Sequence, residues 1–123
     1  MATSEEIATA MSEFRAAAVA KGSAGRRSAQ DDHAFHARMA TAVETFSAAG
    51  AAGASALRQL ASDPSPLVRS WAASELLSQG ELAMVPVLKE LAEHEGLLGF
   101  NAQMVLQEYR AGRLGSPFGA PAP

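Results

Sequence analysis

Leu57-Arg58-Gln59-Leu60-Ala61-Ser62-Asp63-Pro64-Ser65-Pro66-Leu67-Val68-Arg69-Ser70-Trp71-Ala72-Ala73 is the stretch whose reading decides the fold. Its two prolines force a break after Leu60 and Ala61. Proline has no amide hydrogen to donate, and it pushes the residue before it out of helical conformation. Ser65 suits the N-cap of a new helix and Pro66 its first position. Beyond the break Val68, Ala72 and Leu76 recur four residues apart, forming the apolar stripe of a helix that Gly80 stops. Before the break Leu57, Leu60 and Ala61 form the buried face of a short helix. The stretch therefore reads as helix, tight turn, helix.

The unit occurs twice. Leu57-Arg58-Gln59-Leu60-Ala61 returns as Leu88-Lys89-Glu90-Leu91-Ala92. With one residue deleted from the turn, Ala72 aligns with Ala102 and Leu76 with Leu106. A period of about 30 residues with two helices per unit is the mark of an α-solenoid, in which each hairpin buries its apolar face only against its neighbours. In the second unit Pro86 falls in the first turn of a helix carrying Val87, Leu88 and Leu91. Leu98, Ala102, Val105 and Tyr109 share one face of a last helix that starts near Gly96 and closes at Gly112.

Upstream the same signals predict two more helices. Thr3 and Glu6 have capping-box spacing, and Ile7, Met11, Phe14 and Ala18 form a helical stripe that Gly22 and Gly25 interrupt. Phe35, Met39, Val43 and Phe46 form a second stripe, with Asp31 and Asp32 in its first turn, where the helix dipole favours negative charge. Gly50 and Gly53 end it. The expectation is an all-α chain: a short α-solenoid of about six helices near residues 4–21, 29–49, 53–62, 66–79, 84–94 and 97–111. Residues 1–114 form a single domain in this reading, and the Pro/Gly-rich tail 115–123 is expected to be disordered.

Composition narrows the function classes. The 123 residues carry a formal net charge of −3, and Lys21, Arg26 and Arg27 are the main basic cluster, too small for a phosphate-binding groove. There is no cysteine, which removes disulfides, thiolate nucleophiles and cysteine zinc sites together. The acidic start, Met1 to Glu6, has no basic or apolar leader segment, and no apolar run approaches membrane-span length; the expected location is cytoplasmic.

Reactive constellations are weak. His33 and His36 stand three apart beside Asp32, but a zinc-binding helix places its histidines four apart with a further ligand, and His94 is remote. The reading is no metal, no cofactor and no catalytic residue. The serines fall at caps, turns and helix surfaces, with no nucleophile elbow. Gly50-Ala51-Ala52-Gly53 lacks the Lys-Ser/Thr of a phosphate loop. Asp63 and Arg69 are expected to be structural residues of the turn. The Asp63 carboxylate should accept from amides at the start of the fourth helix, from Arg69, or from both. Trp71 lies one helical step off the core line, where it either packs against the second helix or stands part-exposed on a free face.

Asp63-Pro64 followed by Val68-Arg69 and Ala72-Ala73 resembles the turn and second helix of HEAT repeats. More specifically, residues 57–114 resemble a small bacterial family of HEAT-like domains of unknown function. The match is carried by Val68-Arg69-x-Trp71-Ala72-Ala73 and by Leu97-Leu98-Gly99-Phe100-x-Ala102, continuing to Leu106-x-Glu108-Tyr109-x-x-Gly112-Arg113-Leu114. The resemblance implies stacked hairpins, structural hydrogen bonds from the turn aspartate and arginine, and no catalytic residues. Some relatives look like immunity proteins encoded beside toxins. This chain departs from the repeat pattern where Glu93-His94-Glu95-Gly96 replaces the Asp-Pro turn.

The functional expectation is a non-catalytic protein-binding module, in one form an immunity-type inhibitor of a bacterial toxin. In a HEAT-like stack the second helices line the concave face. Arg69, Ser70, Trp71, Ser74, Asn101, Gln103, Gln107 and Arg110 are then the candidate partner-binding residues. One alternative is a scaffold or homo-oligomer subunit that self-associates through Phe118 and the solenoid ends. Another is a HEAT-like nucleic-acid repair enzyme, which needs a basic groove that the charge balance argues against.

Overall fold

Six α-helices follow one another in the computed structural model, which describes residues 3–22 and 28–119. They are α1 (Ser4–Gly22), α2 (Ala29–Ala48), α3 (Ala51–Leu60), α4 (Pro66–Ser78), α5 (Met84–Leu91) and α6 (Gly96–Arg110). No strand occurs among the described residues. Gly25, Arg26 and Arg27 lie outside them. The capping box forms as the spacing predicts: the Glu6 amide donates to Thr3 Oγ1 at 3.1 Å, and the Thr3 amide to Glu6 Oε1 at 3.2 Å. Ser28 caps α2 by accepting from the Asp31 amide at 3.0 Å.

Two boundaries differ from the sequence reading for physical reasons. Gly53 does not end α2; it lies inside α3. A Cβ there would stand 1.8 Å from the Phe46 carbonyl oxygen, so the missing side chain lets α3 sit directly on the end of α2. The fifth helix stops at Leu91 because the Glu93 and His94 amides bond the carbonyls of Glu90 and Leu91, three residues back, and tighten the chain into a turn.

The helices pair as three hairpins, α1/α2, α3/α4 and α5/α6, around one core. Lys21 meets Asp32 and Glu13 meets Arg38, which sets α1 and α2 antiparallel. Helix α4 is the hub. It touches α1, α3, α5 and α6, and Val68 and Ala72 to Leu77 are all buried. Leu76 has no exposed surface, and truncating such a side chain to alanine costs about 2–5 kcal/mol. Helices α3 and α5 make no close backbone approach, so the stack pivots on α4.

Gly80 and Gly112 each close a helix with positive φ. The Glu81 amide then reaches back to Leu76 O at 3.0 Å, and the Arg113 amide to Glu108 O at 2.9 Å. The second closure sends the chain back across the molecule. Residues 115–119, expected to be disordered, instead lie against α4: Ser116 Oγ donates to Glu75 Oε1 at 2.5 Å and the Phe118 ring packs on the core. Composition hid this because two side chains, one hydroxyl and one ring, do the anchoring. Residues 120–123 lie outside the described part of the chain.

Candidate functional site

The turn between α3 and α4 is held by Asp63, which is only 6% exposed. Its Oδ2 accepts from the Ser65 amide at 3.0 Å, and its Oδ1 from Arg15 Nε of α1 at 2.7 Å. Arg69 donates instead to main chain, to the carbonyls of Asp63 at 2.8 Å and Pro64 at 3.0 Å. Of the two partners anticipated for the Asp63 carboxylate, the backbone amide is present and Arg69 is replaced by Arg15. Ser65 occupies the N-cap without a side-chain bond, and its own amide is the one that Asp63 accepts. Burial by itself raises the Asp63 pKa, but the Ser65 amide and the Arg15 and Arg69 guanidiniums outweigh it and hold the carboxyl below its ordinary value. Arg69 and Asp63 are thus structural.

Next to this turn lies an aromatic cluster contributed by four parts of the chain. The Trp71 ring of α4 meets His36 of α2 edge-on at 5.5 Å and Phe118 at 5.6 Å. Phe118 also stands 5.2 Å from His36 and 5.9 Å from Phe14 of α1. Lys21 Nζ lies 5.9 Å from the Trp71 ring centroid while bonding Asp32. Trp71 is therefore packed against α2, the first of its two anticipated placements, and it is covered by the C-terminal segment. His36 serves as an aromatic partner. Among the described residues no three histidine or acidic side chains converge as a metal site.

Not every residue of the anticipated concave face is open to a partner. Ser74 is buried, its hydroxyl bonded to Ser70 O at 2.7 Å, because neighbouring helices pack around α4 from Ala72 to Leu77. Ser70 is half-buried, and Gln103 Nε2 donates to Ala92 O at 3.0 Å, tying α6 to the end of α5. Asn101, Gln107 and Arg110 are exposed on α6. What lies among them was missed by the sequence reading: Leu97 (72% exposed), Phe100 (56%) and Met104 (39%) point away from the core. The signal was present as a second apolar stripe, at i, i+3 and i+7, opposite Gly99, Ala102 and Leu106.

Elsewhere, an open groove of about 760 Å³ runs between α1 and α2, with Glu5, Glu6, Glu13 and Arg38 along its rim and Ala10 and Ala42 among its small floor residues. At the far side of α3, Arg58 grips Glu81 with Nε at 2.9 and 3.1 Å from the two carboxylate oxygens. The hydrogen bond from Arg58 holds the Glu81 pKa below its usual value against the opposing effect of burial. No described helix is long and apolar enough to cross a membrane. The chain has no significant match among protein-family models, curated proteins or solved structures.

Proposed function

We propose that this chain is a non-catalytic protein-binding module whose contact surface is the outer face of α6. The observation that carries the reading is the exposed stripe of Leu97, Phe100 and Met104 on the last helix, where a further hairpin would stack in a longer array. Isolated exposed apolar side chains are ordinary, but three aligned along one helix face form a patch of the kind that marks an interaction site. Asn101 and Gln107 flank it on the same helix with hydrogen-bonding groups, giving an apolar centre and a polar rim. The resemblance to HEAT-like immunity proteins extends the reading to an inhibitor that covers a toxin with this face.

The test is affinity capture of the native partner by the tagged chain. Phe100→Ser should abolish capture while stability changes by no more than about 0.5 kcal/mol, as for other surface substitutions. Gln59→Ala on α3 should leave capture intact. Loss of capture with Gln59→Ala but not Phe100→Ser would overturn the reading. The same stripe favours one second reading, a homo-oligomer joined through α6. Sedimentation of the isolated chain separates the two, since a dimer abolished by Phe100→Ser supports self-association.

A further inference from the structure

The C-terminal segment reads as a ligand seated in a site. Three helices supply that site: Glu75 and Trp71 from α4, His36 from α2 and Phe14 from α1. Glu75 is a buried carboxylate on the central helix, with Oε2 bonded by Gln79 Nε2 at 2.5 Å and Oε1 by Ser116 Oγ at 2.5 Å. A carboxyl group buried between two donors is weak evidence for a stabilising role, because an apolar residue of similar volume would pack there at less desolvation cost. Glu75 does, however, impose a requirement on whatever covers it: a hydrogen-bond donor at one point. The aromatic floor imposes a second requirement, a flat ring that packs at a tilt against Trp71 and His36. Ser116 and Phe118 meet both, and the Phe118 amide bonds back to Ser116 Oγ at 3.1 Å, fixing the spacing between hydroxyl and ring. The segment is joined to α6 through Gly112 and Gly115, and no helix or sheet hydrogen bonding holds it down.

We infer that the surface of α4 beneath residues 115–119 is a peptide-recognition groove for a hydroxyl–x–aromatic segment of a partner protein, with the chain's own Ser116–Phe118 as its resting occupant. This groove is separate from the outer face of α6 and stands or falls independently of it. A tethered occupant competes at an effective concentration on the order of millimolar, so a partner segment displaces it by binding more tightly or by being presented at high local concentration.

Trp71 is the only tryptophan and sits in the groove, so its emission reports occupancy. Two full-length variants vacate the site by different routes. Phe118→Ala removes the ring, and Ser116→Glu sets a second carboxylate against Glu75 without touching the aromatic cluster. Both should shift Trp71 emission to longer wavelength while circular dichroism stays helical. A blocked pentapeptide with the sequence of residues 115–119, added at about millimolar concentration, should reverse the shift in both variants and leave the wild type unchanged. The peptide with alanine for its phenylalanine should have no effect, and with alanine for its serine should bind about tenfold more weakly. The inference is overturned if the peptide leaves both helical variants unchanged. It is equally overturned if the wild type forms a concentration-dependent dimer that both substitutions abolish, which would give the groove to the tail of a second copy.

Discussion

The turns α3–α4 and α5–α6 begin alike and end differently. Through Asp63 and His94 their main chains bond identically: the Asp63 amide to Leu60 O at 3.1 Å, and the His94 amide to Leu91 O at 3.0 Å. They diverge at the residue four places beyond the N-cap, Arg69 in one and Gly99 in the other. Arg69 reaches back with a long side chain to grip the carbonyls of its turn. Gly99 uses no side chain, and a Cβ there would stand 1.7 Å from the His94 carbonyl oxygen. One turn is tied by polar bonds across a gap; the other is closed by backbone pressed against backbone, with the Gln103 bond to Ala92 O beside it. A repeat preserves the shape of a hairpin while leaving the means of holding it open to substitution.

The largest effect that tests this contrast is Gly99→Ala. Forcing a methyl into the His94 carbonyl should cost about 3 kcal/mol in urea unfolding, at the upper end for overpacking. A cost below that of Arg69→Ala would show that the second turn is not held by close approach. Asp63→Ala should follow at about 2 kcal/mol, since it strips the Ser65 amide of its acceptor and leaves Arg15 unpaired. The corresponding His94→Ala, on an exposed side chain, should stay within about 0.5 kcal/mol. Equal costs at the two positions would break the comparison.

Arg69→Ala should cost about 1 kcal/mol, the value of the turn bonds it makes in a half-exposed setting. Arg15→Ala should cost only about 0.5 kcal/mol, because its side chain is 48% exposed and water screens the pair. The acid limb offers a further check. The folded pKa of Asp63 lies below its ordinary value of 3.8, so its stabilising contribution is fully present above pH 3.8 and is lost as pH falls through the folded value. Urea midpoints for the wild type should therefore converge with those of Asp63→Asn as pH drops below 3.8. A gap that widens on acidification would reverse the sign and exclude this role.

Much of this was legible in the residues. The Pro64 and Pro66 break, the Thr3–Glu6 box and the glycine stops act within a few residues, so they located every helix. Asp63 was recognisable as a turn residue from its place before Pro64. Arg15 was not, because it lies 48 residues away and only the docking of α1 brings it to that carboxylate. Leu97, Phe100 and Met104 form a visible stripe, but α6 has apolar residues on two sides and periodicity does not say which side is covered.

The amino-acid sequence by itself determined that the chain is helical, how many helices it makes and where most of them begin and end, since capping, helix period and chain breaking are local properties. Only the tertiary structure decided which faces are hidden. Helix α4 carries Ser70, Ser74 and Glu75, whose polarity reads as surface, yet four neighbouring helices enclose it and their bonds to Ser70 O, Gln79 and Ser116 make Ser74 and Glu75 tolerable inside. The tail reads as too rich in glycine and proline to fold, yet Phe118 finds three rings that no stretch of sequence places together. Burial is a property of what packs on a residue, and for α4 those partners come from the whole length of the chain.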